Sequence, residues 1–168
     1  MKNSTYNTAE VKQTMNAIGL ETDKSSELIF GLNELLANYQ VFYMNVRGFH
    51  WNIQGDKFFE LHVKFEELYD DLALKIDEVA ERILMLGGMP LHTFSDYSSL
   101  AEVKAIKETT DAKGTVQGVL DGFQTILVKQ REILDLSDQA DDEGTNALMS
   151  DYIREQEKLV WMYSAFMK

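Results

Sequence analysis

Five residues of this 168-residue chain have the types and spacing of a metal-binding set: His50, His62, Glu66, Asp77 and Glu81. His62 and Glu66 are four residues apart, as are Asp77 and Glu81, so on a helix each pair shares one face. From Glu66 to Asp77 is a step of eleven residues. At about 100° per residue that step brings the second pair back to within about 20° of the first, and about 16 Å further along the axis. Ligand atoms lie within about 2.0–2.6 Å of a metal, so one ion cannot reach both pairs. If both pairs serve one site, the second pair must come from another copy of the chain. Two such helices crossing antiparallel about a two-fold axis would do this, and would build the site twice. Imidazole nitrogen with several carboxylates suits a divalent first-row metal, iron among them, and carboxylate oxygens favour the harder ferric state.

Taken singly, each residue has a plainer use. A histidine near a helix end commonly caps the helix or faces solvent. Asp77 and Glu81 stand near Lys75 and Arg82, and Glu66 beside Glu67. Such faces form exposed helix ion pairs worth about 0.2–0.5 kcal/mol each. The alternative to a metal centre is therefore an ordinary charged surface. One absence bears on where a centre could lie. A di-iron site inside a single four-helix bundle uses Glu-x-x-His on facing helices. No Glu here is followed by His three residues later, which points to a site between subunits.

The elements that must position these residues are helical. Apolar residues recur at three- and four-residue steps in a first segment, about 25–52: Ile29, Leu32, Leu35, Leu36, Tyr39, Phe42, Tyr43 and Val46. Gly55 and Asp56 read as a stop and a new N-cap. A second segment, about 57–86, carries Leu61, Phe65, Leu68, Leu72, Ile76, Val79 and Ile83, and Gly87, Gly88 and Pro90 end it. A crossover over about 89–110 has room for a short helix, expected over 98–107. A third segment, about 111–140, aligns Val119, Leu120, Phe123, Ile126, Leu127 and Leu134. A fourth, capped by Thr145, aligns Leu148, Tyr152, Leu159, Val160, Tyr163 and Phe166. Four long helices with a long central crossover predict an all-α, ferritin-like bundle in a single domain over 1–168, with about 1–24 as an N-terminal extension.

Composition excludes several classes. Apolar residues make up 45% of the chain, enough for one full core, and rule out disorder throughout. No apolar run approaches the roughly 18 residues of a membrane helix, and the N-terminus has no secretory pattern, so the expected location is cytoplasmic. Without cysteine, disulfides and thiolate sites are impossible. The net charge of −12 opposes phosphate backbones and attracts cations.

The stretch HWNIQGDKFFELHVKFEELYDDLALKIDEVAERILMLGGMPLHTFSDY resembles the core of the Dps family, the miniferritins, and the likeness runs from about Glu27 to Phe166. The resemblance implies a dodecameric hollow shell of four-helix bundles. It implies a ferroxidase that oxidises Fe(II), usually with hydrogen peroxide, and stores the ferric mineral inside, limiting oxidative damage. His50, His62 and Glu66 would come from one subunit, and Asp77 and Glu81 from its mate across a two-fold interface. The family usually has Asp at the position of Glu66, so that carboxylate is moved by one methylene. Trp51 matches a family tryptophan near the centre and would intercept radicals, or simply pack.

His92 is given no metal role. Asp141, Asp142, Glu143 and Asp151 match the region of the acidic pores through which iron enters, although Ala147 stands where an acid is expected. Some members bind DNA through a basic tail. Here Lys2, Lys12 and Lys24 are balanced by Glu10, Glu21 and Asp23, so strong direct binding at neutral pH is not expected. The competing reading is a nucleoid-associated DNA-binding member of the same family in which metal is structural.

Overall fold

The computed structural model describes residues 14–168. Five helices follow in order: α1 Thr22–Asn52, α2 Phe58–Met85, α3 Phe94–Leu100, α4 Ala112–Gln139 and α5 Glu143–Phe166. Among the described residues the β pairing is confined to an isolated bridge between Met15 and Glu21. α1 and α2 form one hairpin and α4 and α5 the other, joined by a crossover that carries α3 across α1. The expected all-α architecture is present. The expected apolar rows meet in one core, where Leu32, Leu35, Tyr39, Phe42, Phe65, Leu72, Val79, Phe123 and Ile126 are fully buried. Ile76, Leu120 and Leu134 lie at its edge, while Phe166 is exposed.

Several boundaries differ from expectation. α1 begins at Thr22, three residues before its expected start, with Asp23 and Lys24 in its first turn. Lys24 is paired with Glu21 and Asp141 at 3.7 and 3.2 Å. Lys2, Glu10 and Lys12 lie outside the described residues. The short helix begins four residues earlier than expected and ends seven earlier, with Thr93 capping it by accepting from the Asp96 N–H. Lys57, not Asp56, precedes α2. Asp142, not Thr145, caps α5.

Two glycines shape how α1 meets its neighbours. Gly55 turns the α1–α2 connection with φ +99°, a conformation that side-chain-bearing residues rarely adopt. Gly122 lets α4 approach α1, since a Cβ there would lie 2.3 Å from the Phe42 ring.

The crossover is held by three asparagines on α1. Asn33 accepts from the Leu91 N–H at 2.8 Å and donates to the Met89 carbonyl at 3.3 Å. Asn38 accepts from the N–H groups of both Glu102 and Val103, each at 2.8 Å. Asn45 accepts from the Ile106 N–H at 2.9 Å and donates to the Lys104 carbonyl at 2.8 Å. Extended backbone in this position has no neighbouring strand, and side-chain amides take that role. The Gln54 N–H then donates to the Thr110 carbonyl at 2.9 Å and ties the crossover to the α1–α2 turn. Asn38→Leu will strip two N–H groups of their acceptor and should cost about 2–4 kcal/mol. A lowered urea midpoint at unchanged slope will show it; a midpoint equal to that of the parent chain refutes the clamp.

Candidate metal centre

The last turn of α1 places His50 beside His62 near the start of α2. Each ring's Nδ1 faces the main-chain carbonyl of the other residue: His50 Nδ1 to His62 O at 2.7 Å, and His62 Nδ1 to His50 O at 2.8 Å. A carbonyl oxygen only accepts, so both Nδ1 atoms carry hydrogen and donate. That leaves each Nε2 as the ring atom available to a metal. The rings stack 3.8 Å apart at 19°. Phe58 stacks on His62 at 5.0 Å, and Tyr69 meets His50 edge-on at 5.3 Å. Hydrogen bonds and packing thus set tautomer and orientation before any ion arrives.

Glu66 lies one turn beyond His62 on α2, and Asp77 and Glu81 about three turns further on; all three are exposed. Neighbouring cations are engaged elsewhere. Lys64 pairs with Glu67 at 2.5 Å. Lys75 is buried against Asp71 and Glu155, at 2.7 and 3.1 Å, beneath the Tyr152 ring. Arg82 turns to Asp142 and Thr145. Among the described residues, Glu66, Asp77 and Glu81 enter no ion pair, so the helix ion pairs that Lys75 and Arg82 could have formed with them are not made. Nor do three His, Asp or Glu side chains of one chain converge on a common point among those residues. His50 at the end of α1 and His62 and Glu66 near the start of α2 share one end of the hairpin, while Asp77 and Glu81 are exposed further along α2.

Beside His50 stands a wall that the ligand spacing does not announce. Arg47 lies over the rings of Trp51, Tyr69 and Tyr43 at 4.9, 5.0 and 5.6 Å, and donates from Nη1 to the Tyr43 hydroxyl at 2.8 Å. Trp51 is 58% exposed and packs on this guanidinium rather than in the core. Four-residue steps from Tyr43 to Arg47 to Trp51 were the available signal.

The acids near the start of α5 divide. Asp141, Glu143 and Asp151 are at the surface, with Asp151 paired to Arg154 at 2.9 Å. Asp142 is 3% exposed and is committed to the fold. It accepts from Arg82, from the Thr145 N–H at 3.1 Å and from the Thr145 hydroxyl at 2.5 Å. Burial acts to raise its pKa, but the Arg82 and Thr145 hydrogen bonds outweigh that and hold it below the usual carboxylate range. His92 sits in an exposed loop with Nδ1 facing the Pro90 carbonyl at 3.1 Å, away from these groups.

A family model described as a ferritin-like domain matches residues 29–168. An uncharacterised protein of Haemophilus influenzae is 54% identical over 149 residues, covering 89% of this chain and 93% of that protein. The DNA protection during starvation protein of Porphyromonas gingivalis is 49% identical over 156 residues, covering 93% and 98%. The crystal structure of a Dps protein from Vibrio cholerae O1, described as a member of a broad superfamily of ferritin-like diiron-carboxylate proteins, matches with a TM-score of 0.90. It is 60% identical and covers 92% of this chain and 97% of that one.

Proposed function

The chain belongs to the Dps family of ferritin-like proteins, and from that premise we propose that it is a ferroxidase that stores the iron it oxidises. Fe(II) is its substrate. One observation carries the reading: His50 and His62 lock each other's Nδ1 and leave both Nε2 atoms for a metal. Glu66 of the same chain and Asp77 and Glu81 of a second chain complete the ligand set across a two-fold axis. The imidazoles hold Fe(II), and the carboxylates favour the Fe(III) product. With peroxide as oxidant, two Fe(II) ions each give up one electron, the O–O bond breaks, and two hydroxides form. The ferric product collects inside a closed, dodecameric shell.

The name of the Porphyromonas gingivalis relative speaks of DNA protection. Consuming Fe(II) and peroxide together removes the reagents that generate hydroxyl radicals, and so protects DNA without touching it. A charge of −12 per chain favours this route over direct binding. No described helix is long and apolar enough to cross a membrane.

Mixing the assembled protein with Fe(II) and peroxide tests the function. Ferric absorbance should rise faster than in buffer, and the iron should co-elute with the shell on gel filtration. Iron that precipitates at the buffer rate defeats the proposal.

A further inference from the structure

The cage beside His50 contains a charge that the chain does not neutralise. Arg47 is always protonated, yet no carboxylate among the described residues lies within ion-pairing distance of it. Asp70 acts on it only from further away. Its guanidinium has five N–H groups. One of them donates to Tyr43, while the buried Nε–H has no acceptor among the described residues. The three ring faces balance part of the charge, but the Tyr43 hydroxyl accepts from Nη1 and not from Nε. A buried, unsatisfied N–H is expensive, about 1–3 kcal/mol, and this guanidinium keeps hydrogen-bonding capacity that the described residues do not use.

That donor is close to the centre. Arg47 precedes His50 by three residues on α1, and the Tyr69 ring meets both, 5.0 Å from the guanidinium carbon and 5.3 Å from the imidazole. We infer that Arg47 binds the peroxide that oxidises Fe(II) and makes the centre select it over dioxygen. The inference rests on the ferroxidase reading.

Peroxide accepts hydrogen bonds at both oxygens, whereas dioxygen is apolar and a poor acceptor. During reduction two electrons, one from each Fe(II), enter the O–O bond. It breaks to give two hydroxides, so negative charge builds on oxygen. A cation already fixed by three rings stabilises that charge without reorganising. Dioxygen arrives without a polar group for Arg47 to hold, so it gains no comparable binding.

Arg47→Gln and Arg47→Lys, compared with the parent shell by stopped flow, test this. Peroxide is varied without oxygen in one series, and dioxygen is varied without peroxide in the other. Arg47→Gln should raise the KM for peroxide about tenfold or more, the loss expected for a charged hydrogen bond, and leave dioxygen-driven oxidation unchanged. Arg47→Lys, with the charge but not the fork, should fall between. Equal slowing with both oxidants overturns the inference, because Arg47 then only holds the rings or pairs with a carboxylate of the second copy. An unchanged peroxide KM overturns it too. If Arg47→Gln fails to assemble, the two KM values of Arg47→Lys decide. A parent shell inactive with both oxidants defeats the ferroxidase reading itself, a different result from a loss confined to Arg47 variants.

Discussion

Replacing both His50 and His62 with Ala will slow Fe(II) oxidation by on the order of a hundredfold or more, the upper range seen when a metal site loses its supporting groups, and leave the shell assembled. Each ring has its Nδ1 held by the main-chain carbonyl of the other residue, which leaves its Nε2 uncommitted. On the proposed reading, losing both rings removes the nitrogen ligands together with the hydrogen bonds that orient them. The fold will survive because it stands elsewhere. Phe49, Phe65 and Ile53 close the core beneath the pair, and the hairpin turn at Gly55 is independent of the imidazoles. The lost hydrogen bonds cost about 1–3 kcal/mol, well below what a core of this size supplies. Stopped-flow ferric absorbance, with gel filtration of the same sample, is the measurement. Parent-like kinetics in an intact double variant would exclude the pair from the centre.

The second large effect concerns sharing between chains. A His62→Ala chain and an Asp77→Ala chain should each be nearly inactive alone. Unfolded together and reassembled, they should recover about a quarter of parent activity. Random pairing makes about half of the dimers mixed, and in a mixed dimer both defects fall in one of the two symmetric sites. The other site then has parent residues throughout. The gap of about 16 Å between the pairs along α2 underlies this expectation, together with the lack of any three converging ligands within one chain among the described residues. No recovery in mixed shells, with mixed subunits verified by mass spectrometry, would place both ligand sets in one chain and reject the shared centre.

Much of this was legible in the residues because helices impose a fixed geometry. A 3.6-residue turn converts the spacing of His62, Glu66, Asp77 and Glu81 into a shared face and a separation, with no knowledge of packing. The apolar rows behave similarly: Leu61, Phe65, Leu68, Leu72, Val79 and Ile83 are buried as their spacing requires. Termini were less legible, because caps depend on which polar side chain reaches a free N–H. Thr145 and Asp142 are both good caps, and burial against Arg82 decides for Asp142.

By itself the sequence determined a helical bundle, the residues capable of ligation, and the impossibility of gathering them on one ion within a single helix. Only the tertiary structure decided which of them are free to ligate. Lys75 and Arg82 stand beside Asp77 and Glu81 in sequence, yet one is drawn inward to Asp71 and Glu155 and the other to Asp142. Long side chains choose among partners from several helices, and local spacing carries no record of that choice. The same holds for His50 and His62. Twelve residues apart, they fix each other only because the turn at Gly55 lays α2 back along α1 and brings two carbonyls to two Nδ1 atoms.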